Sequence, residues 1–181
     1  ARMPDHHDLW GIAAARRIRN HTWDVVISTH GPYACHAIAC WLRRSNRAAR
    51  WIADFRDLWV DNHIYPGIQP FTLVEQRLER VFCNTADAIT TVSAELAGSL
   101  ESRHSRPVTV IHNAIDLRAL SLLDAAPAFP RDGRVRLVYT GTIYETGQCP
   151  EILFRALARV REKHTDEFMR VSVVFAGKAQ A

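Results

Sequence analysis

The sequence of 181 residues contains no apolar run near the roughly 18 to 20 residues that cross a bilayer. Its first eight residues also lack the apolar stretch of a secretory signal peptide. The four cysteines form neither a CxxC pair nor a ladder with histidine of the kind that ligates zinc. These absences predict a cytoplasmic protein with reduced, mostly buried thiols and no metal site.

No block of like charge occurs either, although the formal net charge is +4. The basic residues are spread over several segments, such as 16–19, 43–44 and 159–161. Scattered arginines of this kind are typical of solvated helix faces. The alternative is attraction to an anionic partner, either a diphosphate-bearing substrate or lipid headgroups at the inner face of the membrane. Nucleic acid is not predicted, because no basic-aromatic platform or helix-turn-helix pattern is present.

What is present is an alternation of short apolar runs with amphipathic segments, in a chain of 48% hydrophobic residues. The runs predict strands at 23–28, 51–55, 88–92, 108–111, 135–139 and 171–175. Helical spacing predicts helices at 9–20, 32–44, 71–82, 94–101 and 150–163. We expect the first strand to be buried. The pattern predicts an α/β fold, a Rossmann-like parallel sheet with helices on both faces.

Composition changes at residues 117–133, which are rich in Leu, Ala and Pro and have no strand pattern. We therefore predict that residues 1–116 belong to one Rossmann-like domain, 117–133 to a linker, and 134–181 to the first β-α-β of a second domain. Two strands and one helix leave sheet edges and one sheet face uncovered, which indicates an incomplete second domain. The chain also opens on a helix, where a doubly wound domain opens on a strand, so we expect both ends to be cut.

Polar residues follow the predicted strands. Ligands of open α/β sheets bind outside the carboxyl ends of the strands, so we expect these residues to face one crevice. They are Thr29, His30, Gly31, Arg56, Asp57, Ser93, His112 and Asn113. A glycine-containing turn at Thr140-Gly141-Thr142 could bind phosphate through its backbone amides.

Four segments carry a family resemblance, namely 51–59, 86–93, 110–116 and 137–142. In their order and spacing they resemble the family 4 glycosyltransferases of the GT-B fold, over roughly residues 24–177. The resemblance implies that residues 1–116 are the C-terminal part of the acceptor-side domain, and that residues 134–181 begin the donor-side domain.

The resemblance also implies roles for individual residues. Arg56 and Asp57 stand where related enzymes carry a His-Asp pair near the acceptor hydroxyl and the donor sugar, which makes them the catalytic candidates. A carboxylate there could orient or deprotonate a hydroxyl, and a guanidinium could hold phosphate or sugar oxygens. The substrate-binding candidates are Thr29, His30, Gly31, Ser93, His112 and Asn113, and the donor-binding candidates are Gly141 and Thr142.

Each candidate also has a purely structural interpretation. Arg56 and Asp57 could form a salt-bridge cluster with Asp54 that only fixes the loop. His30 could be a residue at the start of a helix, Ser93 a helix cap, and the segment 112–113 a hinge. The family usually has glycine where this chain has Ala114, and it often has a basic residue where residues 142–148 have none.

The resemblance implies a glycosyltransferase that moves a sugar from a nucleotide-diphosphate donor to a carbohydrate or lipid-linked acceptor, in cell-surface polysaccharide or glycolipid biosynthesis. No cofactor beyond the nucleotide sugar and no metal is expected. Two alternatives remain open. One is a non-catalytic nucleotide- or sugar-binding module or truncated remnant, and the other is a GT-B-fold nucleotide-sugar epimerase.

Overall fold

A computed structural model of the protein describes residues 3–62, 67–118, 127–144 and 149–180. The chain divides into two compact units, Ala1–Ile115 and Asp116–Ala181. Residues 119–126 of the predicted linker lie outside the described residues, as do residues 145–148. The assignment of the two units to an acceptor-side and a donor-side domain stays a prediction.

The first unit is a parallel sheet with helices between its strands. Its strands are β1 (Trp23–Thr29), β2 (Ala48–Phe55), β3 (Ala88–Thr91) and β4 (Thr109–Val110), paired in parallel in that order. Its helices in the described residues are α1 (His7–Ile18), α2 (Ala34–Arg44), α3 (Phe71–Thr85) and α4 (Ala94–His104). The predicted Rossmann-like α/β fold is therefore confirmed.

Strand β2 is longer than its apolar run. The prediction started it at Trp51, but the structure starts it at Ala48, and this part of the prediction is wrong. Residues 48–50 are extended because they pair with β1, with Ala48 opposite Trp23 and Arg50 opposite Val25. The ladder with a neighbouring strand, which sequence periodicity cannot show, defines this boundary.

The core lies between the sheet and the helices of the first unit. Strand β2 supplies three fully buried side chains, Trp51, Ala53 and Phe55. Helices α2 and α4 pack on the sheet, and α3 contacts both α2 and α4.

Strand β1 is only half covered, so the prediction of a buried strand is wrong for its second face. Val25 and Ile27 are 52% and 66% exposed, while Ser28 is buried. The alternation follows from the two-residue period of a strand, which points successive side chains to opposite faces.

Helix α3 buries polar residues where its apolar spacing does not indicate them. Thr72, Glu75 and Glu79 are buried together with Phe82 and Cys83, whereas three apolar side chains of its first turn are exposed. Those exposed residues are Phe71, Leu73 and Val74. The spacing therefore identifies the helix but not the face that it buries.

The four cysteines are free thiols, as predicted. Cys40 and Cys83 are buried, Cys35 is partly exposed and Cys149 is exposed, so burial holds for only some of them. Burial, and then the neighbouring Glu79, raises the pKa of Cys83 to about 12.

The second unit, within its described residues, has a parallel pair of strands, β5 (Val135–Thr140) and β7 (Val171–Ala176). A second parallel pair joins β6 (Ile143–Tyr144) to β8 (Ala179–Gln180). The helices are α5 (Glu151–Lys163) and the short α6 (Thr165–Phe168). The predicted strand-helix-strand order of this part of the chain is present.

Candidate functional site

The carboxyl ends of β1 to β4 lie at one edge of the parallel sheet, and the candidate residues of the first unit follow those ends. We call five residues at this edge the carboxyl-edge cluster, namely Asp54 and the four candidates Arg56, Asp57, His112 and Asn113. Asp54 is the second-last residue of β2, and Arg56 and Asp57 directly follow this strand. His112 and Asn113 come after β4. The cluster thus combines residues from two strands that are separated by β3.

Arg56 connects these two strand ends. Its Nη2 donates a hydrogen bond to Oδ1 of Asn113, and its Nη1 lies 4.0 Å from Oδ2 of Asp54. The Asp54 carboxylate is itself held by Thr90 of β3, whose hydroxyl donates to Oδ1 over 2.8 Å. The Arg56 side chain is 46% exposed, and a guanidinium that solvent reaches can bind an oxyanion or a sugar hydroxyl.

Asp57 is exposed, and among the described residues its side chain has no hydrogen bond or ion pair. The predicted salt-bridge cluster therefore contains Asp54 and Arg56 but does not extend to Asp57. A carboxylate with unused acceptor sites can accept a hydrogen bond from a substrate hydroxyl.

The loop that carries Arg56 and Asp57 is anchored by the residue two positions further on. Trp59 is fully buried and stacks on Tyr33, the N-cap residue of α2, at a centroid distance of 4.8 Å and an interplanar angle of 9°. Its other neighbour is Phe82 of α3, at 5.9 Å and 11°. Offset-stacked aromatic pairs of this kind add stability beyond their buried area.

A buried carboxylate fixes the same loop. Oε2 of Glu79 accepts a hydrogen bond from the backbone N–H of Val60 over 3.1 Å. Its Oε1 accepts from Nη1 of Arg103 over 2.7 Å and lies 3.0 Å from Nε2 of His104. Arg103 also pairs with Asp61. Glu79 therefore links the loop after β2 to α3 and to the last turn of α4.

His112 contributes an acceptor to the cluster. Its Nδ1 lies 2.9 Å from the carbonyl oxygen of Val92, and a carbonyl can only accept, so Nδ1 carries the proton. The Nε2 of the neutral ring is then a hydrogen-bond acceptor on an exposed side chain.

Ser93 acts as the N-cap of α4, which is the structural interpretation made from the sequence. Its Oγ accepts a hydrogen bond from the backbone N–H of Leu96 over 3.3 Å, and its backbone is extended. One acceptor site of the hydroxyl is thereby used within the protein.

The three candidates after β1 differ in accessibility. Thr29 is exposed and pairs in register with Asp54. Gly31 has a φ of 101°, in the left-handed region that favours glycine. The His30 side chain turns inward instead. Its ring centroid lies 6.2 Å from that of Phe55, and its Nε2 is buried. The backbone N–H of His30 donates to the Asp54 carbonyl. His30 thus packs against the core at the start of the turn.

Three buried side chains, those of Ser28, His36 and Trp51, are joined by hydrogen bonds that were not predicted from the sequence. Trp51 Nε1 donates to Oγ of Ser28 over 2.8 Å, and Oγ lies 2.7 Å from Nδ1 of His36. The serine hydroxyl accepts from the indole and thus connects Trp51 of β2 to the imidazole of His36 on α2. Burial, and then the nearby His30, lowers the pKa of His36 to about 3, so the ring stays neutral at pH 7.

The donor-binding candidates lie in the second unit and are described separately. Gly141 has a φ of 154°, and a Cβ there would approach the Tyr139 hydroxyl to 3.1 Å. Its backbone N–H already donates to the Ala176 carbonyl over 3.1 Å. Phosphate binding by this amide is therefore not supported, while a role for Thr142 stays a prediction.

Glu79 and His36 show which residues sequence reasoning missed. A signal for Glu79 was available, because one face of α3 carries buried residues at positions i, i+4, i+7 and i+8, namely Glu75, Glu79, Phe82 and Cys83. The apolar residues at the end of this face indicate that the two glutamates before them are also buried. His36 had no comparable signal, because its partners come from β1 and β2.

A parallel α/β sheet with polar residues outside the carboxyl ends of its strands is typical of a Rossmann-like domain. Residues 3–119 match the model of Glycosyltransferase Family 4. The chain belongs to this family, as the sequence blocks predicted, and three of the four blocks lie within the matched residues. No curated protein matches it significantly. Among the helices that the structure describes, none has both the length and the apolarity needed to cross a membrane.

Proposed function

We propose that this chain takes part in glycosyl transfer from a nucleotide-diphosphate sugar to a carbohydrate or lipid-linked acceptor, in cell-surface polysaccharide or glycolipid biosynthesis. The observation that carries this proposal is the pair of adjacent groups after β2. The carboxylate of Asp57 is exposed and unpaired among the described residues, and the guanidinium of Arg56 is oriented by Asn113. Family membership supports the sugar chemistry.

In the proposed reaction the acceptor oxygen bonds to the anomeric carbon as the bond from that carbon to the diphosphate oxygen breaks. The nucleoside diphosphate leaves with the bonding electron pair, and the hydroxyl proton passes to Asp57. Arg56 stabilises negative charge on the phosphate or sugar oxygens. Nε2 of His112 accepts a hydrogen bond from a substrate hydroxyl and orients it.

The first test is binding and turnover with defined probes. The protein is titrated with UDP, GDP and ADP and with their glucose or mannose conjugates, and release of nucleoside diphosphate is then followed with a panel of glycan and glycolipid acceptors. We expect one donor class to bind and to turn over. Asp57→Asn should lower turnover by about 100-fold, the usual contribution of an acid-base group, without weakening donor binding.

Asp24→Asn is the matched control, because Asp24 is an exposed aspartate of β1 that lies away from the carboxyl edge. It should behave like the wild type. Wild-type turnover by Asp57→Asn would remove Asp57 from the catalytic role, and loss of turnover in both variants would indicate a general effect on the fold.

A non-catalytic nucleotide- or sugar-binding module is the second candidate. Such a module binds a ligand without stabilising a leaving diphosphate, and the N–H of Gly141, already bonded to the Ala176 carbonyl, offers no donor for that charge. Residues 142–148 also contain no basic residue. Donor binding without any release of nucleoside diphosphate, together with normal folding, would support this candidate over the transferase.

We also propose a cytoplasmic location with peripheral association at the inner face of the membrane. The outward face of α1 supports it: Leu9, Trp10 and Ile12 are at least half exposed, and Arg16 and Arg17 follow on the same helix. An exposed apolar surface beside arginines suits an anionic interface. In co-sedimentation with phosphatidylglycerol vesicles, Arg16→Glu/Arg17→Glu should reduce binding.

The exposed pair Arg159 and Arg161 of α5 provides the matched control, because its charge reversal leaves α1 unchanged. An equal loss of vesicle binding in the two double variants would indicate nonspecific attraction by net charge. Binding to neutral vesicles as strong as binding to anionic ones would contradict the electrostatic part of the proposal.

A further inference from the structure

A compact set of nitrogen and oxygen donors lies at the start of α1, remote in sequence from the carboxyl-edge cluster. One ligand atom each from Asp5, His6 and His7 lies within 4.8 Å of the other two. Oδ1 of Asp5 is 3.0 Å from Nδ1 of His6 and 3.0 Å from Nδ1 of His7. We propose that these three side chains bind one divalent first-row transition-metal ion.

The Asp5 carboxylate is an independent indication of a cation. Its side chain is only 4% exposed, and its Oδ2 is buried without a hydrogen-bond partner among the described residues. Leaving a buried carboxylate oxygen unpaired is costly, and a bound cation removes that cost. Two histidine rings already converge on the other oxygen of the same carboxylate.

The segment that carries these donors is held in place by the rest of the unit. The backbone N–H of Met3 donates to Oε1 of the buried Glu75 over 2.7 Å. The N–H of Asp5 donates to Oδ2 of Asp8 over 3.2 Å, and Oδ1 of Asp8 accepts from the hydroxyl of Tyr33. These bonds fix residues 3–8 against α2 and α3, so the donors are arranged before an ion binds.

The donor types and their spacing indicate the class of metal. Two imidazoles and one carboxylate suit nickel, cobalt, iron and zinc, whereas calcium and magnesium prefer all-oxygen sets. Metal–ligand bonds of about 2.1 Å would turn the 3.0 Å spacing into ligand–metal–ligand angles of about 90°. Both angles have Asp5 Oδ1 as one ligand, and they are nearer to those of an octahedral ion than to those of a tetrahedral one.

The test uses the full, untagged chain after removal of metals with a chelator. Isothermal titration with Ni²⁺ should show one equivalent bound. Asp5→Asn, which keeps the shape of the side chain, and His7→Ala should each weaken binding by more than about tenfold, the effect expected even for an outer-shell change. Circular dichroism and thermal unfolding without metal show whether each variant is folded.

Two control variants remove other donors. His21→Ala deletes an exposed histidine that stacks on Trp23, and Cys149→Ser deletes the exposed thiol. Both should bind Ni²⁺ like the wild type. Unchanged affinity in Asp5→Asn and His7→Ala, or loss of binding in Cys149→Ser, would overturn the proposal, as would the absence of any Ni²⁺ uptake by the wild type.

Cobalt provides a second measurement, in which the spectrum of the wild type already tests the geometry. Co²⁺ bound with near-octahedral geometry gives weak visible absorption, whereas a tetrahedral site absorbs strongly. Weak bands at one equivalent are the expected result, and they should disappear in His6→Ala. Strong tetrahedral bands would contradict the assigned geometry, and bands that persist in His6→Ala would place the ion elsewhere.

Discussion

Arg56 and Asn113 are 57 positions apart in the sequence, yet Nη2 of the guanidinium donates a hydrogen bond to Oδ1 of the amide. The bond spans the end of β3 and joins the loops after β2 and β4. It orients the only cation of the carboxyl-edge cluster as defined above. The orientation of Arg56 is therefore a property of the assembled sheet.

Removing the amide should affect ligand binding more than folding. In Asn113→Ala we expect up to about tenfold weaker binding of the donor that the wild type binds, because the Arg56 side chain must then be ordered by the ligand, at a cost of about 0.5 to 1.5 kcal/mol. Stability should change by less than about 0.5 kcal/mol, since both side chains are exposed. Asn84→Ala, an exposed amide on α3, is the control. Equal effects of the two variants on binding would contradict the role of Asn113.

The stacked arrangement around Trp59 should contribute strongly to stability. Trp59→Ala deletes a fully buried ring between Tyr33 and Phe82, and we expect a loss of about 3 to 5 kcal/mol in the free energy of unfolding. Urea denaturation measures it. Trp10→Ala removes an indole that is 51% exposed and should cost less than about 1 kcal/mol. Similar losses in both variants would show that Trp59 is not an anchor.

Glu79→Leu should destabilise the first unit. It removes the acceptor of three hydrogen-bond donors and leaves Arg103 with only the exposed Asp61 as its acidic partner among the described residues. Breaking a buried charge pair from one side costs about 3 to 5 kcal/mol. Glu162→Leu, on the exposed surface of α5, is the control for side-chain exchange. A neutral effect of Glu79→Leu would mean that the network is dispensable for stability.

The neutral state of His36 predicts a pH dependence. Its pKa falls from 6.5 in the unfolded chain to about 3 in the folded protein, so between these values the unfolded state binds one more proton. Stability should therefore fall by about 1.4 kcal/mol for each pH unit as pH drops from 6.5 toward 3. In His36→Gln the slope of unfolding free energy against pH should decrease by one proton. His164→Gln, at an exposed position, should leave the slope unchanged.

The lowered pKa of Asp87 predicts a second loss of stability, at lower pH than the loss caused by His36. Hydrogen bonds from Arg43 first, and then from the Trp51 amide and Arg50, hold the pKa of its carboxyl well below the usual value. A lowered folded pKa gives stability that is present above about pH 4 and lost as pH falls further. The stability of Asp87→Asn should not fall further in this acidic range, whereas Asp166→Asn, at an exposed position, should lose stability like the wild type. An unchanged loss of stability in Asp87→Asn would show that the hydrogen bonds of Asp87 are not its cause.

Much of the first unit could be predicted from local patterns. The apolar runs identified the four strands, and Ser93 was correctly interpreted as a helix cap. Sequence blocks also indicated the family that residues 3–119 confirm. These successes share a cause, because backbone preference, capping and two- or 3.6-residue periods act over a few neighbouring residues.

The errors arose where a partner distant in the chain decides the outcome. Residues 48–50 became strand through pairing with β1, and Glu79 is buried because α4 supplies Arg103 and His104. In the Gly141 turn, whose role in phosphate binding stays a prediction, the backbone N–H donates to the carbonyl of Ala176. Hydrogen-bond partners 20 or more positions away leave no mark in a local pattern.

The candidate site shows the same division. The sequence by itself determined that Arg56 and Asp57 would follow the end of a parallel strand, because an apolar run stops there and polar residues begin. Only the tertiary structure decided that Arg56 is held by Asn113 while Asp57 stays unpaired among the described residues, and that His30 turns into the core. The physical reason is that periodicity specifies on which face of a strand or helix a side chain lies. Its contact partners are specified by the packing of strands and helices that are far apart in the chain.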